Sequence, residues 1–122
     1  MGKNIKLAKR GVNKMADSVI ELNKANFDVE VLQSTTPVLV DFWASWCMPC
    51  RMMAPVVEEI AHDMKDKIKV GKLNTDDSGE IAARYGISAI PTLIVFNGGK
   101  EVDRIVGYVA KKAIETKINN IL

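Results

Sequence analysis

The sequence predicts an α/β domain: a mixed sheet of about five strands with four helices on its two faces. Three observations carry this. Residues 37–44, PVLVDFWA, form a near-continuous apolar run rich in β-branched and aromatic side chains, which suits a central strand buried on both faces. Just beyond it, Met53, Val56, Val57, Ile60, Ala61 and Met64 fall on one stripe at helical spacing. Near the end of the chain, TLIVF and KEVDRIV flank NGG at 97–99, a strong hairpin signal. The elements read β-α-β-α-β-α-β-β-α. The βαβ units imply parallel pairing, and the final hairpin adds an antiparallel edge.

Taken in order, SVIEL (18–22) is a short strand. NFDVEVLQS (26–34) is ambiguous on its own residues: Phe27, Val29 and Val31 alternate as in a strand, yet Asn26 is a good helix cap and Phe27 and Val31 are helix neighbours. The striped helix must begin near Cys47, because Pro49 is tolerated only in a first turn, and Pro55 inside it should kink it. KIKVGKLN (67–74) reads as a strand. SGEIAARYG (78–86) reads as a short helix, with Ser78 as its cap and Gly86 as its stop. AKKAIETKINNIL closes the chain as a helix expected to bury Ile114, Ile118, Ile121 and Leu122.

With 122 residues the chain makes one small domain, large enough to fold without a disulfide. Its apolar runs are too short to span a membrane, and two cysteines are too few for a disulfide-built scaffold. The net charge of +2 hides an asymmetry. Lys3, Lys6, Lys9, Arg10 and Lys14 stand in the first 14 residues with no acid, so the rest of the chain is acidic on balance. A basic tail can touch nucleic acid or anionic lipid. The plainer reading makes 1–17 a disordered leader, a vector-derived segment or an upstream start, with the domain at 18–122, no nucleic acid and no membrane partner. The segment is too charged for a secretory signal, so a cytoplasmic address is expected.

Both cysteines lie in WCMPC (46–50), where a strand hands over to a helix, the place at which open α/β sheets collect their chemistry. At a helix start their Cα atoms come within disulfide reach. Cys47 would sit among unpaired N–H groups at the positive end of the helix dipole, worth about one unit of lowered thiol pKa. The thiolate is the nucleophile, so Cys47 is expected to attack and the less exposed Cys50 to resolve. A zinc site needs about four ligands. Two thiols and His62, four turns away and read as a solvated helix residue, do not supply them, so no metal is expected. A structural disulfide across so small a loop gains little. Redox chemistry is the favoured reading.

VDFWASWCMPCRMMAP (40–55), KVGKLNTD (69–76), YGISAIPTLIVFNGGKEV (85–102) and VGYVAKK (106–112) resemble the thioredoxin family in order and spacing, over residues 18–122. The resemblance implies the thioredoxin fold, with a helix where NFDVEVLQ lies. It implies a redox disulfide between Cys47 and Cys50, with Pro49 between them as part of the catalytic motif.

Two charges stand where apolar residues belong. Asp41 interrupts the most apolar strand, so its pKa should be raised. Lys72 continues the Ile68–Val70 alternation. Opposite signs on neighbouring strands suggest a pair; alternatively, each reaches solvent at a strand end. The resemblance makes Asp41 a buried proton acceptor for Cys50, assisted by Lys72. It also implies a cis bond before Pro91, facing the cysteines, and a flat client-binding rim of Trp46, Ile90 and Gly107. Trp43 is expected beside the site rather than on the client. Met48 departs from the family's usual glycine and is expected to tune reduction potential or partner fit.

The expected function is a monomeric protein-disulfide reductase. It would hold no bound cofactor, and a thioredoxin reductase would recharge it with electrons from NADPH or ferredoxin. Client proteins would carry disulfides. One rival runs the chemistry backwards, as an oxidase or isomerase, although such relatives usually carry histidine where this chain has Pro49. The other rival is a non-catalytic assembly module.

Overall fold

The structure is a computed structural model that describes residues 18–122; the basic segment 1–17 lies outside the described residues. Five strands, β1 (Val19–Leu22), β2 (Val38–Trp43), β3 (Lys69–Asn74), β4 (Thr92–Asn97) and β5 (Lys100–Val106), form one sheet in the order β1-β3-β2-β4-β5. Three helical segments lie between strands, α1 (Asp28–Leu32), α2 (Met48–Asp63) and α3 (Gly79–Arg84), and α4 (Lys111–Asn119) follows β5.

The ambiguous segment is helical, as a single wide turn. The Gln33 N–H donates to the Asp28 carbonyl at 2.9 Å, five residues back, which is the π pattern. Asn26 does not cap it. Its side chain braces the preceding loop instead, accepting from Asn23 N–H and donating to the Glu21 carbonyl. Ser78 stands at the start of α3 but makes no side-chain cap bond. Gly86 does end that helix: with φ +63° it lets its own N–H reach the Ala83 carbonyl and Ile87 N–H reach that of Ala82.

Strand direction departs from the expectation in one respect. β1–β3 and β3–β2 are parallel, but β4 is antiparallel to β2 as well as to β5. Helix length accounts for it. The 16 residues of α2 span about 24 Å and carry the chain back along the sheet. The six of α3 span about 9 Å, too little to retrace a strand of about 20 Å. The chain therefore enters β4 from the end at which it left β3, and the antiparallel edge is two strands wide.

The apolar faces sort as the periodicities require. On one face, Leu39, Val70, Leu93, Val95 and Ile105 pack on Met53, Val57, Ile60 and Ala61 of α2 and on Ile114 and Ile118 of α4. On the other, Val38, Val40, Phe42, Leu73, Ile94 and Phe96 pack with Phe27, Val31 and Ile81. Leu122, expected in the core, is exposed, whereas Ile121, two residues past the end of α4 at Asn119, is partly buried against the first core. Alternation along β2 puts Asp41 on the same face as Leu39, beneath the first turns of α2. That placement builds the site.

Candidate active site

Cys47 is the N-cap of α2, in extended backbone (φ −90°, ψ 110°), with Pro49 inside the first turn, where its missing N–H costs nothing. The Cys47–Cys50 pair forms a disulfide with Cα atoms 5.3 Å apart. Cys47 Sγ also accepts the Cys50 N–H at 3.2 Å. The cap that serine or aspartate supplies elsewhere is supplied here by sulfur, so the helix end stabilises negative charge on Cys47 when the bond opens.

Exposure barely separates the two sulfurs: Cys47 is 4% exposed and Cys50 2%. Cys50 is the less exposed of the two, as expected, but by a narrow margin, because both are buried in one cluster with Ala44, against which Trp43 and Ile90 pack. Their neighbours do separate them. Beside Cys47 stand Trp46 and Met48, each about two-thirds exposed, and the Ile90 carbonyl at 3.7 Å from its sulfur. Beneath Cys50 lies a cavity of about 90 Å³ lined also by Asp41, Trp43, Arg51, Ala54 and Lys72. It is roomy enough for water, and Asp41 and Lys72 place charged groups in a mostly apolar lining.

Asp41 is buried, with one carboxylate oxygen lacking a hydrogen-bond partner. Burial pushes its carboxyl up to about 7, and the Lys72 charge only partly opposes this. The two residues are register partners on β2 and β3, but no ion pair forms between them. Lys72 instead lies 3.8 Å from Glu21 and 5.4 Å from the centre of the Trp43 ring. The expected pair is thus a neighbouring charge rather than a contact, because the half-exposed lysine reaches toward solvent. Trp43 lies beside the site as expected, its indole N–H buried without a partner.

The Ile90–Pro91 bond is cis. The Pro91 carbonyl accepts Gly107 N–H at 2.8 Å, which joins the loop to the end of β5. Gly107 has φ +91° with open space where a side chain would be, so the residue is glycine for its backbone and also leaves the surface clear. Trp46 and Ile90 line a groove of about 190 Å³ with Thr75, Ile87, Ser88 and Ala89.

Sequence reasoning missed four contributors. Asp76 accepts the Trp46 indole N–H at 3.0 Å and fixes the ring; its signal is the TDDS turn, in which Asn74 accepts Asp76 N–H. Met52, four residues after Met48, extends the exposed apolar stripe of α2. Glu21 and Glu58 bring acids to the Asp41–Lys72 pair from β1 and α2. His62, expected in solvent, is half-buried with an unpartnered Nδ1, and it takes no part in the site. Among the described residues no His, Cys, Asp and Glu cluster could hold a metal ion.

A three-layer α/β sheet with a Cys-x-x-Cys disulfide capping a helix at the end of a central strand defines a thiol–disulfide exchange protein. A family model for thioredoxin matches residues 18–120. The chain is 50% identical to a thioredoxin of Pyropia yezoensis over 86% of this chain and 98% of that one. It is 51% identical to thioredoxin 1 of a Nostoc species over 84% and 95%, and 52% identical to a chloroplastic M-type thioredoxin of Chlamydomonas reinhardtii over 83% and 72%. The chain belongs to the thioredoxin family and is a protein thiol–disulfide oxidoreductase. As such it works on disulfide-containing proteins.

Proposed function

We propose that the protein runs in the reducing direction, as a monomeric carrier recharged by a thioredoxin reductase with electrons from NADPH or ferredoxin. The Cys47 thiolate attacks one sulfur of a client disulfide, forming a mixed disulfide and expelling the first client thiolate. Cys50 then gives its proton to the Asp41 carboxylate. The Cys50 thiolate attacks Cys47 Sγ, the Cys47–Cys50 bond forms and the second client thiolate leaves. Two electrons have moved to the client, and Asp41 returns its proton to solvent through the cavity. The cavity joining Asp41 to Cys50 is the observation that carries this order. A carboxyl titrating at about 7 takes and releases a proton readily near neutral pH.

Lys72 shares the cavity and helps set the acidity of Asp41, while Pro49 fixes the turn that aligns the cysteines. Trp46, Met48, Ile90, Pro91 and Gly107 receive the client as a flat apolar rim, without a bound cofactor. A reducing compartment suits this reading, with the cytoplasm as the proposed address. Among the described residues no helix is long and apolar enough to cross a membrane. One relative is named as chloroplastic, so fractionation in the source cell must decide between cytoplasm and plastid.

The test is turnover of a test protein disulfide with NADPH and a thioredoxin reductase, together with the reduction potential. Turnover that Cys47→Ser abolishes and Cys50→Ser arrests at the mixed disulfide is expected. A strongly oxidising potential, or no turnover with any reductase, would overturn the reading. Rescue of a deletion strain by the double serine variant would instead favour an assembly module.

A further inference from the structure

The electrostatics around Asp41 do not end at Lys72. β1, β3 and β2 are adjacent and parallel, and Glu21, Lys72 and Asp41 occupy one register line across them. Register partners in parallel strands point to the same face. Three charged side chains, minus-plus-minus, therefore stand side by side, running from exposed Glu21 through half-buried Lys72 to buried Asp41. The middle charge has chosen a side: the Lys72 ammonium is 3.8 Å from the Glu21 carboxylate and makes no ion pair with Asp41. The Trp43 ring, two residues beyond Asp41 on β2, lies 5.4 Å from the ammonium and is a further, uncharged contact.

We propose that Glu21 is a positioning residue of the active site, holding Lys72 on the β1 side of the row so that Asp41 faces the cavity beneath Cys50 without a contact cation. The inference rests on the reading of Asp41 as the proton acceptor for Cys50. A lysine in contact would make the carboxylate a weaker base, and a negative charge that draws the lysine away keeps it a stronger one. The other charged groups near the pair come from α2. Glu58 lines a small cavity of about 30 Å³ shared with Asp41 and Lys72, and Arg51 lines the larger cavity with Cys50. Arg51 is turned outward, donating to the Ser45 carbonyl at 3.2 Å. Among the described residues Glu21 alone is ion-paired with Lys72.

The test follows the Asp41 carboxyl carbon by NMR through a pH titration of the oxidised protein, alongside the pH profile of turnover. Glu21→Gln, on an exposed edge position, is expected to lower the Asp41 midpoint by about 0.3–1 unit at low salt, given a charge some 10 Å away that also releases the lysine. The shift should shrink at 1 M salt. In a Lys72→Met background the same substitution should shift the midpoint much less. A Glu21→Gln midpoint within about 0.1 unit of the parent overturns the proposal. So does an equal shift with and without Lys72, which would make Glu21 a bare charge. The two readings fail differently. If the carboxyl titration moves and the turnover profile does not, Asp41 is not the base in turnover. If Asp41→Asn flattens the profile but Glu21→Gln leaves it in place, Glu21 alone loses its role.

Discussion

The two ends of α2 handle charge in opposite ways. At its N-terminal end a carboxylate is buried with an unpartnered oxygen, a lysine leans away from it, and Trp46, Met48 and Met52 stand exposed. At its C-terminal end Lys111 of α4 donates to Glu59 at 3.1 Å and to Asp63 at 2.7 Å, and every charge in the contact has a partner. The difference appears in how each end responds to pH. Burial raises the Asp41 carboxyl to about 7. The folded state therefore binds a proton that the unfolded chain, titrating near 3.9, has already released, and stability falls as pH rises from about 4 to about 7. The hydrogen bond from Lys111 lowers the Asp63 carboxyl, so its contribution is present at neutral pH and is lost as pH falls through the acid range. In the proposed reading one end serves proton transfer, while the other ties α2 to α4 through paired charges.

The largest expected break in this contrast is Asp41→Ala. Above pH 7 it should stabilise the protein, by up to about 4 kcal/mol before any cost of the cavity it leaves. The gain should vanish below about pH 4, where both states hold the proton. Turnover near pH 7 should fall about 10–100-fold and recover in part above the ordinary thiol pKa, as solvent takes the Cys50 proton unaided. Denaturant unfolding at pH 4 and pH 8, with a pH–rate profile, checks both. A variant equally stable at the two pH values relative to the parent would remove the buried, raised carboxyl from this account.

This site was legible in the sequence because its parts break local rules. Asp41 in an apolar strand and Lys72 in an apolar alternation stood out against the period-2 pattern, as did two cysteines at a strand-to-helix junction. The chain order of the elements, the number of strands and the helices on both faces also followed from periodicity. What stayed hidden depends on distances that no pattern carries. Glu21 reads as one more exposed strand residue until β1 is placed beside β3, and its partnership with Lys72 is a matter of register. Asp76 reads as a turn residue until the Trp46 indole reaches it. The direction of β4 turns on the reach of a six-residue helix, a length argument that the element order alone does not raise. The cis bond before Pro91 came from family resemblance, since X–Pro bonds are trans by default.

A smaller effect tests the other end of the helix. Lys111→Ala removes the donor that serves both Glu59 and Asp63, on a surface open to solvent. The expected result is a slight fall in the thermal midpoint, visible at neutral pH and low salt and lost in 1 M salt, because exposed ion pairs are weak and screened. Turnover and its pH profile should be unchanged. A changed pH profile would mean that the two ends are electrically coupled along α2, against the contrast drawn above.

The smallest expected effect belongs to Met48. Its side chain is exposed at the first position of α2, so it does not hold the core, and with exposed Trp46 it belongs to the rim proposed to receive the client. A flexible thioether suits a surface that meets many partners. Met48→Gly should cost at most about 1 kcal/mol of stability, the helix-propensity difference. It should raise KM for a protein disulfide a few-fold and leave the rate with a small aromatic disulfide unchanged, since only the protein covers the rim. The reduction potential should move by less than about 30 mV, tenfold in equilibrium constant for two electrons. A larger shift in potential with KM unchanged would show that Met48 acts on the cysteine pair rather than on the client.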